Sequence, residues 1–122
     1  MNYYEILSLE NFYLEDSYVL SIDEVAGELI FELEAVLTKS HSQYEDPKKG
    51  ERYCYRRASL RFFGVNSIEW LDRRFIRFKD STVELDYGNI DSFVGDGGSY
   101  ILSGDWGRVV IRGGGVEAVI TD

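Results

Sequence analysis

His41 and Cys54 are the only histidine and the only cysteine in the chain, and twelve residues separate them. A thiolate beside an imidazole is a nucleophile, so a Cys–His pair is the first chemistry to weigh. The two residues bracket one polar stretch that also holds the only proline, Pro47. Against catalysis, "RYCYRRASLRFF" alternates, placing Cys54 on one face with Ala58, Leu60 and Phe62. A buried thiol there acts as a small hydrophobe. His41 lies in a solvated loop without a second His or Cys, so neither a Ser–His–Asp arrangement nor a structural zinc follows. The stretch reads as a recognition loop between two paired strands, with Tyr44 as its aromatic anchor, and not as an active site.

Carboxylates are the other reactive groups, 22 in all. Glu69 adjoins Trp70, and Asp105 adjoins Trp106. An aromatic neighbour can desolvate a carboxyl and raise its pKa, as an acid catalyst requires. These four residues define the alternative site, the pocket of a small-ligand-binding β-barrel or of a carboxylate-dependent hydrolase. Asp86, Asp91 and Asp96 recur every five residues. That does not match the alternate-residue ligands of a calcium loop, and they read as acidic turn residues. No phosphate-binding loop of the G-x-x-x-x-G-K-[ST] type occurs. No cofactor is expected.

The elements that would position these groups are strands. "GELIFELEAVL" puts Leu29, Phe31, Leu33, Ala35 and Leu37 on one face and Glu28, Glu32 and Glu34 on the other. Period two over this length predicts a half-buried strand. If it pairs with the 53–63 strand, its glutamates face Arg57 and Arg61. Further strands are expected at "FYLED", "SYVLSI", "SIEWL", "RFIRF", "TVEL", "SYILSGDW", "RVVIR" and "VEAVI", divided by Gly, Asn, Asp and Ser clusters. "RGGGV" is expected to turn a hairpin. Residues 2–9 and 67–75 also fit helical spacing, the latter through Ile68, Leu71 and Phe75, but both are assigned to strands. The sum is a single all-β domain over residues 1–122, an antiparallel sandwich or partly closed barrel with at most one short helix.

The totals narrow the function classes. The formal net charge is −9, which disfavours nucleic acid and anionic membrane surfaces. Positive charge is confined mainly to residues 39–79, where 11 basic groups meet 5 acidic ones. The aromatic, basic "RYCYRRASLRFF" has the composition of a single-strand nucleic-acid platform, but flanking acidic strands weaken its field. The N-terminal 20 residues carry no Lys or Arg and no uninterrupted apolar run, so no signal peptide is read there. A cytoplasmic location is expected.

The segments "GERYCYRRASLRF", "NSIEWL", "DYGNIDSF" and "YILSGDWGRVVI", in that order, resemble a group of small bacterial β-rich proteins, some of them similar to immunity proteins of toxin systems. The resemblance covers roughly residues 12–112 and brings no catalytic residue with it. It implies a non-enzymatic inhibitor that presents carboxylates to the basic cleft of a toxin. The expectation is therefore a protein-binding domain for another protein, a basic one by charge, using Glu15, Asp16, Asp23, Glu24 and Tyr44.

Overall fold

The computed structural model describes residues 2–74, 78–79 and 85–122. Two four-stranded antiparallel sheets pack face to face as a sandwich, not as a closed barrel. The first sheet has the order β1 (Phe12–Val25), β2 (Glu28–Leu37), β3 (Cys54–Phe63) and β10 (Gly115–Ile120). The second has the order β4 (Ser67–Arg73), β9 (Gly107–Arg112), β8 (Ser99–Gly104) and β7 (Ile90–Asp96). A two-stranded ribbon, β5 (Phe78–Lys79) with β6 (Leu85–Asp86), joins β4 to β7.

Alternation builds the core. The inward residues of β2 and β3, including Leu29, Phe31, Leu33, Ala58, Leu60 and Phe62, are buried, and they meet Phe93, Leu102, Val109 and Ile111 of the second sheet and Trp106 of its β8–β9 turn. Phe31 and Phe62 lie edge to face, with ring centroids 6.2 Å apart. Each such side chain removed from water stabilises the fold by about 1.5–3 kcal/mol before entropy is counted. On the outer face, β2 and β3 pair in register, with Glu34 opposite Arg57. Arg61 bridges Glu28 at 2.5 Å and Glu117 of β10 at 2.9 Å, so the basic strand sits between acidic ones.

Several expectations change. "FYLED" and "SYVLSI" form one 14-residue strand, β1, because bulges absorb the break in alternation between them. Residues 2–9 are not a strand; two single-turn 3-10 helices, Tyr3–Glu5 and Leu7–Leu9, fold under the sandwich edge. Asn2 and Glu5 cap the first reciprocally, a local bond set that a strand could not make. The "SYILSGDW" strand stops at Gly104, and Asp105–Trp106 makes the turn into β9. "RGGGV" is not a hairpin: β9 and β10 belong to different sheets, and the glycines carry the chain across the sandwich. Residues 67–73 are strand, as assigned. The expected strands at 74–78 and 82–85, and Phe75, lie wholly or largely outside the described residues.

Among the described residues, no helix is long and apolar enough to cross a membrane.

Candidate functional site

The site begins with an irregularity in β1. Tyr13 pairs with Val36, and the next paired residue, Tyr18, meets Glu34. Five steps along β1 thus span two along β2, and three extra residues bulge from the strand. In regular pleating, two residues five apart face opposite sides. The bulge brings both tyrosines to the outer face, 38% and 41% exposed. Ser17 holds it there. Its buried hydroxyl donates to the Tyr13 carbonyl at 2.8 Å and accepts from the Val36 N–H at 2.9 Å, replacing ladder bonds that the bulge breaks.

Opposite the bulge, Tyr53 and Tyr55 emerge where the long 38–53 connection runs into β3. The four rings form a continuous chain. Tyr13 meets Tyr53 edge on at 6.1 Å, Tyr53 meets Tyr55 edge on at 6.0 Å, and Tyr55 stacks with Tyr18 at 6.2 Å. Asp16, at the crest of the bulge, accepts a 2.7 Å hydrogen bond from the Tyr53 hydroxyl, which raises the Tyr53 pKa above its ordinary value. Burial, with the Tyr18 phenol close by, pushes Tyr55 up to about 12. Both phenols therefore stay neutral donors near neutral pH. The Arg52 guanidinium lies 5.2 Å from the centre of the Tyr53 ring. Beside the rings runs a groove of about 280 Å³ lined by Tyr13, Leu37, Lys39, Tyr44, Arg52 and Tyr53. Such a face offers rigid apolar area rimmed by hydroxyls, the kind of surface that anchors protein interfaces.

The acidic residues expected to bind a partner are not one patch. Asp16 belongs to the tyrosine face. Glu15, its neighbour, accepts from the Tyr3 hydroxyl. Asp23 and Glu24 are exposed at the far end of β1, about 20 Å along the strand at ~3.3 Å per residue. There Glu24 accepts from the Trp70 indole N–H of the other sheet. Tyr44 is half-buried against the core and lines the groove.

The alternative pocket is not assembled either. Trp70 and Trp106 do touch, edge to face at 5.9 Å. But Trp106 is fully buried and packs on Phe31 at 5.1 Å as part of the core. Glu69 is exposed and pairs with Arg112 at 3.0 Å, and Asp105 lies exposed in the β8–β9 turn. The carboxylate that reaches Trp70 is Glu24. Among the described residues, the Trp106 indole nitrogen is the one buried side-chain polar atom without a hydrogen-bond partner.

His41 and Cys54 are engaged separately. His41 packs edge on against Phe12 at 5.1 Å, and its Nδ1 accepts from the Gln43 N–H at 3.0 Å. Burial, then the nearby Arg56 cation, lowers its pKa. Cys54 is a buried free thiol in the core. Asp86 is buried and accepts from the Gly88 N–H at 2.7 Å, while Asp91 and Asp96 are exposed on β7. Among the described residues, no group of three His, Cys, Asp or Glu side chains could hold a metal ion.

Alternation along "RYCYRRASLRFF" sets Tyr53 and Tyr55 on the face opposite Cys54. The signal for their partners was available only by asking which residues of β1 could meet them, and the bulge hides that. Comparison of the chain with protein-family models, curated proteins and solved structures finds no match to any of the three.

Proposed function

We propose that the protein is a non-enzymatic binding domain that recognises another protein through the outer face of its first sheet. The observation that carries this reading is the contact chain Tyr13–Tyr53–Tyr55–Tyr18 around Asp16. Tyrosine contributes large contact area at low entropic cost and is enriched at binding hot spots. A fold that only had to stay folded gains little from exposing two such rings, and it spends an irregular strand to do so. The net charge of −9 favours a basic partner through steering and complementarity. An immunity-type inhibitor of a bacterial toxin is the form of this function that agrees with the resemblance and needs no catalytic group.

Photo-crosslinking in the native cell tests the reading. A benzoylphenylalanine replaces Tyr18 in one variant and the exposed Leu71 of β4 in another. The expected result is one discrete protein adduct from position 18 and none from position 71. Identical adduct patterns, or no adduct at position 18, defeat the proposal. If the captured protein is a toxin, co-expression with the intact chain should restore growth, and co-expression with the Tyr18→Ala/Tyr55→Ala variant should not.

A further inference from the structure

We propose that the tyrosine face is built to take an arginine side chain from its basic partner protein, a guanidinium stacked on the rings and held by Asp16. This rests on the protein-binding reading above and specifies what that face recognises. Three observations converge on it. The four rings sit in contact on an exposed sheet face, and the negative faces of aromatic rings attract cations. A carboxylate, Asp16, borders the same cluster, anchored by accepting from the Tyr53 hydroxyl, so an anion stands at the rim of the rings. The chain also supplies its own precedent: the Arg52 guanidinium lies 5.2 Å from the Tyr53 ring centre. Burial first, then the Tyr18 phenol, raise the Tyr55 pKa, and the carboxylates of Asp16 and Glu34 add to the rise, so both carboxylates act at this face.

Arginine fits this geometry better than lysine. Its guanidinium is planar, stacks on aromatic faces and pairs with a carboxylate through a fork of N–H donors. Lysine brings the same charge as a compact, strongly hydrated point. The site should therefore discriminate between two probes of equal charge, which a merely acidic surface would not do.

The probes are penta-arginine and penta-lysine peptides, titrated separately into the protein with the tyrosine ring resonances followed by NMR. Penta-arginine is expected to shift the rings of Tyr13, Tyr18, Tyr53 and Tyr55 saturably and to bind about fivefold more tightly than penta-lysine. Tyr18→Leu removes an exposed ring at little risk to folding and should abolish that preference. Asp16→Asn should weaken penta-arginine binding about threefold or more. Equal affinity for the two peptides, shifts spread over carboxylate-bearing surfaces away from the rings, or a preference that survives Tyr18→Leu would overturn the inference. The crosslinking result separates the two levels. A discrete adduct at position 18 with no arginine preference refutes this inference and leaves protein binding standing; no adduct refutes protein binding itself.

Discussion

Ser17 is a fully buried hydroxyl in the middle of an edge strand, and it makes the tyrosine face possible. It bonds the Tyr13 carbonyl and the Val36 N–H, two backbone groups that a bulged ladder leaves apart. Replacing it with alanine strands the buried Val36 N–H and removes the donor to the Tyr13 carbonyl, so Ser17→Ala should lower unfolding free energy by about 1–3 kcal/mol. Urea denaturation followed by circular dichroism measures it, and a change under about 0.5 kcal/mol, the range of neutral surface substitutions, would show that the bulge holds itself without the hydroxyl. Tyr53→Phe supplies the contrast. It removes one partly exposed bond to Asp16 and keeps the ring, so the loss should be no more than about 1 kcal/mol. If Tyr53→Phe costs more than Ser17→Ala, the site is held by the hydroxyl–carboxylate bond and not by the bulge.

Glycine turns show how differently the sandwich tolerates change from element to element. Gly27, in the β1–β2 turn, has φ +75°, and a Cβ there would meet nothing within 4 Å. Gly27→Ala should cost only the left-handed conformation, about 1–2 kcal/mol. Gly114, where β9 crosses to β10, has φ +69°, and a Cβ would lie 1.8 Å from the Phe63 carbonyl oxygen. Gly114→Ala must therefore displace backbone where the two sheets join, and should cost clearly more than Gly27→Ala. A thermal melt of each variant checks the order, and equal melting temperatures would contradict it. The same crossover marks where the sequence stops being informative. Three consecutive glycines announce a turn, but the choice between pairing back and crossing to the other sheet depends on long-range packing. Strands β2 and β3 were legible because regular alternation maps directly onto burial, and their pairing placed Glu34 opposite Arg57 as the charges implied. Strand β1 was legible only in pieces. Its bulges shift the period, so Tyr13 and Tyr18, five apart, read as opposite faces when they share one. Of the residues picked as binding groups, Asp16 and Tyr44 border the tyrosine face, while Glu15, Asp23 and Glu24 have contacts elsewhere. Charge and exposure suggested them, and neither property reveals which acids a fold brings together.

At the scale of the whole molecule, the perturbed groups divide stability into an acid arm and an alkaline arm. Arg61 bonded to Glu28 holds that carboxyl below its ordinary 4.5, and the Arg57 N–H with the Arg56 guanidinium holds Asp122 below 3.8. Burial, then Arg56, keeps His41 below 6.5. In all three, the unfolded chain binds protons more readily than the folded one, so stability falls as pH falls. The His41 contribution begins to fade below about pH 6.5 and those of the carboxylates below about pH 4.5. The phenols act in the opposite sense. Burial, reinforced by the Glu15 carboxylate, pushes Tyr3 well above 10, and burial with Tyr18 pushes Tyr55 to about 12. A raised pKa stabilises the fold fully below the unfolded value, and that stability is lost as pH rises past 10 toward the folded value. The urea midpoint should therefore form a plateau between about pH 6.5 and 10 and fall on both sides. Tyr3 gives the sharper check, because its hydroxyl is buried between the Leu14 N–H and Glu15. Tyr3→Phe should lower the unfolding free energy on the plateau by about 1–2 kcal/mol, since the Leu14 N–H loses its acceptor, and should flatten the fall above pH 10. A variant whose alkaline fall matches the parent's would assign that arm to other groups. A parent midpoint that rises on acidification from pH 6.5 to 4 would reverse the sign derived for His41, Glu28 and Asp122.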